Sequence, residues 1–531
     1  MRGLGKFAFL LVVLSVWLAF VQPASANTFC VPTYSAACPA SGINEAEPDL
    51  NAALSAYGAD GNPDKVIIAP GTLTATDSFT ATGNDPLEII GSGREKTFLT
   101  SSASGGTYVL NLGGNNRTIT VKDLAVVVPT SFDVGAAVGE TADHFESVDL
   151  ITRNEDSFGV YNPTGGSTFK DIRVFGQNGA SFGGVFYQQS YCLTGGITFS
   201  DIQVSDAQYG LVWNCPDTNP VTVNRAHFTG ADAAIQVSDG ALVSVTNSLI
   251  ESGEGSPIRA FNFVNKPTTL NLNHLTVVAT GDPNQPAIHA WVDTVASPTQ
   301  NINLTLENSI ISGFTSPWHL EAPIDQSKGN VILNANYTAT DSAGTTNGQA
   351  FVTNSNIPFG VPHFVGFDDF HLAAGSPGID QGDPTTSLPD TDLDGKFRPV
   401  DGNADGVAVR DLGAYEFQPT CADDPAFCPP ADKTAPKISK VKFSFKRRKG
   451  GTLKLRLSEA STVRVTFTPV PKKSKPKRKK VKLTRKAKAG NLTLKIGKRK
   501  LGSGRYKLTI TATDKAGNKS KTVTRKVRVR V

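Results

Sequence analysis

Between residues 119 and 338 the chain repeats one short pattern: apolar, any, apolar, any, a polar corner residue, apolar, any, apolar. Copies begin at Ile119, Phe145, Ser167, Ile197, Val221, Val243, Leu270, Leu304 and Val331, and ITVKDLAV, ITFSDIQV and LTLENSII are the clearest. Within a copy the apolar positions alternate as on a strand, then lose phase at the fifth residue, where the chain must change direction. They do not follow a 3.6-residue period, and Val, Ile, Phe and Thr fill them, so a helix is excluded. Successive copies start no closer than 22 residues apart, so each is a coil of about that length with the excess in loops.

The corner positions read Asp123, Asp149, Asp171, Asp201, Arg225, Asn247, His274, Asn308 and Ala335. Asp and Asn tolerate the left-handed backbone that a sharp bend requires. Three short strands and their bends make one coil, and each strand stacks in parallel on its equivalent in the next coil, about 4.8 Å away. Stacking buries a continuous apolar core that no single coil could form. Repeat length and corner chemistry resemble the right-handed parallel β-helix of pectate-lyase-like and related extracellular proteins. The expected fold is therefore all-β, a right-handed parallel β-helix (solenoid) followed by a small basic β-sandwich. The resemblance implies no particular activity.

The flanks complete the organisation. Residues 1–26 read as a signal peptide: Arg2 and Lys6, an apolar run from Phe7 to Val21, then Ala24-Ser25-Ala26. No later stretch is long and apolar enough to span a bilayer. The β-helix with its ends occupies 27–418, with an N-terminal cap at about 43–65 and a closing segment at 363–418. "SPGID" and "DLGAYE" in that segment resemble the end of bacterial surface β-helix proteins of the choice-of-anchor type, which implies an extracellular location. Residues 419–436 are a Pro-rich linker. Residues 437–531 alternate as sandwich strands, and GRYKLTITATDKAGN resembles bacterial immunoglobulin-like or fibronectin-like modules.

Charge divides the chain in the same place. Residues 432–531 hold 35 Lys or Arg against three acids, Asp432, Glu459 and Asp514, whereas 1–431 hold 17 basic and 44 acidic residues. Such an asymmetry points the basic module at an anionic polymer.

Candidate chemistry is sparser. Six Cys suit an exported, disulfide-bonded protein and fall in near pairs: Cys30 with Cys38, Cys192 with Cys215, Cys421 with Cys428. Cys192 and Cys215 sit at nearly equivalent places on adjacent coils; metal binding is the rival reading, without a CxxC to support it. Tyr187, Tyr191, Tyr209 and Trp213 gather around the longest loop, and Trp291 with His289 marks a second loop. These rings either stack on sugar faces or form a small aromatic core. Asp390, Asp392, Asp394 and Asp401 have the spacing of a calcium loop with Gly395 at the turn, and Asn403 with Asp405 begins a weaker copy. The alternative is a pair of Asx turns. The paired-Asp and Gly-His-Gly pattern of polygalacturonases and the Trp-x-Asp-His and Arg-x-Pro-x-x-Arg phrases of pectate lyases are absent. The leading expectation is a secreted or cell-surface, non-catalytic protein that binds anionic cell-wall or extracellular polysaccharide through residues 437–531. A polysaccharide lyase or glycoside hydrolase on the β-helix face is the second reading. Non-specific binding of DNA or other polyanions is the third.

Overall fold

The computed structural model describes residues 26–530 except for short segments, among them 177–185, 189–194, 294–300 and 424–431. The proposed signal peptide lies outside the described residues. Two compact units follow one another, 1–419 and 420–531.

The first unit is a parallel β-solenoid. A long sheet of 18 strand segments and a second sheet of 11 wrap one core, with parallel pairing between coils. The register forms vertical columns. Val121 lies over Phe145, then Phe169, Phe199, Val223, Val245, Leu272, Leu306 and Ala335. All nine are buried. The rings of Phe145 and Phe169 stack at 5.3 Å, and those of Phe169 and Phe199 at 4.9 Å.

Each coil bends where the left-handed backbone falls. Asp123, Ser147, Asp171, Asp201, Arg225, Asn247, His274, Asn308 and Tyr337 all have φ between 46° and 59°. Two expected corners are displaced: Ser147 takes the bend instead of Asp149, and Tyr337 instead of Ala335. In both coils the register starts two residues away from the apolar phrase, because His144 pairs with Thr120 and Leu333 with Leu304. The bend interrupts the ladder, and small hydroxyl side chains repair it from the next coil. The Ala226 N–H donates to Ser248 Oγ (3.1 Å) and the Leu275 N–H to Ser309 Oγ (3.0 Å). Three of the four acids in the corner ladder have a cation partner within the chain. Arg225 makes a two-pronged bond to Asp201, at 2.6 and 2.8 Å, and Arg94 pairs with Asp171. Displaced from the bend, Asp149 binds Arg173 at 2.8 and 2.6 Å.

At the N-terminal end the helix Leu50–Ala56, capped by Asp49, lays Leu50, Ala53 and Leu54 on the first coils. Cys30 and Cys38 form a disulfide there. The core strand Asp64–Ile68 follows the helix.

Residues 363–417 do not plug the far end. They lie along the flank of the last coils, where Leu249, Val278, Ile310 and Ala339 point outward and are covered by Phe370, Leu372, Ile379 and Leu412. The Asp383 N–H donates to Asn308 Oδ1 (2.7 Å) and the Ala414 N–H to Thr276 Oγ1 (2.9 Å). The final rung, Ala350–Ser355, is left largely exposed, with Phe351 at 48%.

DLGAYE builds a buried ionic centre with Arg398, and the Asp380 N–H of SPGID donates to Asp411 Oδ1 (2.7 Å). Asp411 and Glu416 are buried with Arg398, whose Nε lies 3.5 Å from Glu416 Oε2. Two carboxylates and one guanidinium share this buried site. Burial, and then its partner's charge, holds Asp411 well above the ordinary carboxylate range. Burial outweighs Arg398 and raises Glu416 to about 7. Under them lies His274, also fully buried. Burial, then Arg398 and Arg410, push it well below the ordinary imidazole value.

Two predictions follow from this packing. Truncating Phe169 to Ala costs about 3–5 kcal/mol of unfolding free energy, whereas Lys170→Ala beside it, which loses only an exposed pair with Glu146, leaves the unfolding midpoint nearly where it was. Denaturant unfolding of both variants measures the contrast. The pH dependence separates the buried groups. A carboxyl raised in the fold stabilises below its unfolded value and loses that contribution as pH rises, so Glu416→Gln gains on the native chain between pH about 4.5 and 7. A lowered imidazole does the reverse, so His274→Asn gains as pH falls below about 6.5. Thermal unfolding across this pH range reads both.

Candidate polymer-binding surfaces

The second sheet turns every other residue outward, and its rungs stack in register. One outward column runs Gln236, Arg259, His289, His319, Thr345; its neighbour runs Ser238, Phe261, Trp291, Glu321, Asn347. The residues between them, Ala260, Ala290 and Leu320, are fully buried, which fixes the direction of the other two columns.

These columns bring rings, imidazoles and a carboxylate together. Phe261 and Trp291 stack at 4.8 Å with 22° between planes, and Phe263 lies 5.1 Å from Phe261 with half its surface exposed. His289 lies 4.6 Å from the Trp291 ring and 5.4 Å from His319. Glu321 Oε1 meets His319 Nε2 at 2.7 Å and His289 Nε2 at 3.3 Å. His319 Nδ1 is 2.6 Å from Thr345 Oγ1. Burial lowers the His289 pKa despite Glu321, and His319 and Arg259 lower it further, so this imidazole is neutral at pH 7. Chemically, the strip offers flat apolar faces to sugar C–H groups and a neutral base with a cation one rung away.

Of the rings expected from sequence, Trp291 belongs to this strip. Trp213 does not face solvent: it is 1% exposed and packs in the core in line with Val237. Tyr209 is half-buried, paired with Ala233. Tyr187 lies in the strand Phe186–Gln188, in register with Tyr161 and Val212, and its side chain lies outside the description. Tyr191 and Cys192 lie outside the described residues, as does Cys428; Cys215 is buried and disulfide-bonded, and Cys421 is exposed. Phe261, His319 and Glu321 escape a reading that aligns only the corner phrase. The second-sheet strands IRAFN, IHAWV and WHLE share an alternation that, once aligned, puts these residues in line.

The acidic loops of the closing segment each find partners within the chain. Asp392 is buried and accepts the Lys396 N–H (2.7 Å) and the Glu416 N–H (3.0 Å). Asp394 binds Lys396 Nζ (2.6 Å) and His371 Nε2 (3.0 Å). Burial alone raises its pKa, but these bonds outweigh it and hold the carboxyl below the ordinary value. Asp390 is exposed, 3.6 Å from Arg410, and Asp401 accepts the Gly406 N–H at 3.0 Å. Asn403 and Asp405 accept from Asp405 and Val407 N–H groups in local turns. The four loop carboxylates are thus engaged separately rather than turned toward one point.

The second unit consists of two antiparallel sheets on a shared core. Ile438–Lys446, Gly450–Leu457 and Gly490–Ile496 form one; Val481–Ala487, Ser461–Pro469, Gly504–Thr513 and Val523–Val529 form the other. Leu453, Leu455, Val463, Val465, Phe467, Leu508 and Ile510 face inward. The alternate positions carry the charge. On the four-stranded sheet Arg505 sits opposite Arg528 and Lys507 opposite Lys526. Like charges placed across a strand pair repel unless an anion lies over them. Val470, Arg505, Lys507, Thr524, Lys526 and Arg528 line a groove of about 670 Å³. Among the described residues of this unit, no Lys or Arg has a carboxylate within 4.0 Å. Three of its acids, Asp432, Glu459 and Asp514, instead bring carboxylate oxygens within 4.8 Å of one another.

Among the described residues, no helix is long and apolar enough to cross a membrane. No known family model matches the chain, and no curated protein matches it. Among solved structures it is similar to pectate lyase Pel9A at 13% identity, covering 75% of this chain and 98% of that one with a TM-score of 0.43. It is also similar to the Azotobacter vinelandii mannuronan C-5 epimerase AlgE6 A-module, at 12% identity, 57% and 93% coverage and a TM-score of 0.28. A third is tailspike protein gp49 of Acinetobacter baumannii bacteriophage Fri1, a capsular polysaccharide depolymerase, at 11% identity, 96% and 78% coverage and a TM-score of 0.28. These similarities are distant, and the parallel β-solenoid is read from the coordinates themselves.

Proposed function

We propose that this is a secreted or cell-surface protein that binds anionic extracellular polysaccharide through its C-terminal module, which we read as immunoglobulin-like. The carrying observation is the four-stranded sheet face, where Arg505, Lys507, Lys526 and Arg528 border one groove and face like charges with no acidic partner among the described residues. A regularly spaced row of carboxylates or sulfates relieves that repulsion and gains several charge-assisted bonds at once. The solenoid then supplies a second, more selective contact, the Phe261–Trp291 stack, for the sugar rings themselves.

A second reading is favoured by one specific arrangement. His289, neutral and half-buried beside Arg259, has the makings of a base and a carboxylate-neutralising cation for elimination from a uronate. Glu321 is the carboxylate of that strip, whereas hydrolysis calls for two flanking the bond. Elimination is therefore the enzymatic form of the proposal. Calcium at Asp390, Asp392, Asp394 and Asp401 remains a proposal of lower standing, since each carboxylate already has another partner.

Retention on immobilised polyuronate tests the binding reading. The native chain is expected to elute only as salt rises past the screening regime, and the triple variant Arg505→Glu, Lys507→Glu, Lys526→Glu is expected to pass through at low salt. Retention indifferent to salt and to these substitutions refutes it. Equal retention on duplex DNA and on uronate assigns the face to polyanions at large. Trp291→Ala weakens glycan binding about threefold to tenfold in affinity electrophoresis, the worth of one ring contact. Formation of unsaturated ends from uronate polymers, lost in His289→Ala, establishes the elimination reading instead.

A further inference from the structure

We propose that His289, His319 and Glu321 form a site for one Zn²⁺ ion on the outer face of the second sheet. Parallel stacking creates the site from three positions on two rungs. In-register pairing sets His289 directly against His319, and the two-residue alternation puts Glu321 on the same face as His319. The imidazole nitrogens and carboxylate oxygen all lie within 4.8 Å of one another. Ligand atoms around a tetrahedral zinc are about 3.3 Å apart when each bond is about 2.0–2.1 Å. Glu321 Oε1 already lies 3.3 Å from His289 Nε2 and 2.7 Å from His319 Nε2. Small outward shifts of side chains that are 30–45% exposed open the triangle to an ion.

The ligand set selects the metal. Two imidazoles and one carboxylate suit zinc and its first-row neighbours, whereas calcium and magnesium prefer oxygen throughout. Surrounding contacts already orient the donors. Thr345 Oγ1 holds His319 Nδ1 at 2.6 Å, so that Nε2 points at Glu321, and the Trp291 ring supports His289 from one side. Arg259 occupies the rung beyond His289, but its guanidinium donates to the Asp232 backbone oxygen at 3.3 Å, which restrains it from the metal position. Exposure of the three ligands leaves the fourth position to water or to a ligand oxygen. The site is independent of the glycan reading, because it stands on the position of three donors alone.

The test is Zn²⁺ titration of the full chain, purified without a histidine tag, by calorimetry and by metal analysis after dialysis. One ion per chain is expected, and Co²⁺ in its place is expected to give the strong visible absorption of a tetrahedral centre. Binding should vanish in His319→Gln and in Glu321→Gln, both folded by circular dichroism. It should weaken on the order of 10–100-fold in Thr345→Val, which removes only the orienting hydroxyl. His371→Ala, in the other histidine–carboxylate cluster, should bind as the native chain does. Absence of stoichiometric binding, or binding that survives His319→Gln and fails in His371→Ala, overturns the assignment.

Discussion

One constraint governs the first unit: each coil must bend through a left-handed residue and return the same apolar pair to the same height. The bend and the column are one requirement. If the corner moves by a single residue along its strand, every side chain beyond it changes face. That is why residues as different as Asp123, Arg225, Asn247, His274 and Tyr337 occupy the bend at nearly the same φ. What they share is a position where the backbone has to turn, and the cost of order 1 kcal/mol or more for a non-glycine residue is met by the packing on either side. Side-chain chemistry at the bend is then free to vary with what lies outside it. Arg225 answers Asp201, while Asn308 and His274 receive the flanking segment.

This explains which parts of the molecule are legible in the sequence. The corner phrase is a local signal, so the solenoid and seven of the nine corner positions between residues 119 and 338 are readable without coordinates. The exceptions are physical. Coils that begin at Phe145 and Val331 carry apolar residues at both candidate phases, and only pairing with neighbours, Val121 with Phe145 and Leu306 with Ala335, settles which is used. The candidate site is less legible because it is made across coils. His289 and His319 are 30 residues apart in the chain and adjacent in space only because the intervening loop is as long as it is. Trp213 shows the opposite failure. It looks like a surface ring near a long loop, yet alternation in its strand sends it inward beside Val237.

The two units divide electrostatic work as their sequences divide charge. In the solenoid, acids are answered internally, by Arg173 at Asp149, Arg225 at Asp201 and Lys396 at Asp394. Pairs of this kind contribute little to stability at the surface, but they cancel the field of the ladder they belong to. In the C-terminal unit nothing comparable occurs among the described residues, and cations stand opposite cations on neighbouring strands. Such a surface carries a standing repulsion that folding alone does not require, since the core of Leu455, Val465, Phe467 and Ile510 is complete without it. This excess charge is what the proposed polyanion contact rests on.

The flanking segment is where stability and chemistry separate most clearly. Its acidic residues invite a metal reading from spacing alone, and in the fold each of them also has a partner within the chain. A carboxylate that accepts two backbone N–H groups, as Asp392 does, is already neutralised by dipoles and terminates a turn. The charges that are costly lie deeper, at Asp411, Glu416 and Arg398, where the signatures DLGAYE and SPGID fold against the coils. By contrast, the imidazoles of the second sheet have one carboxylate between them and open solvent in front. Buried acids whose oxygens each accept a backbone N–H belong to architecture; half-exposed nitrogen donors converging on a shared oxygen are the better place to look for a ligand.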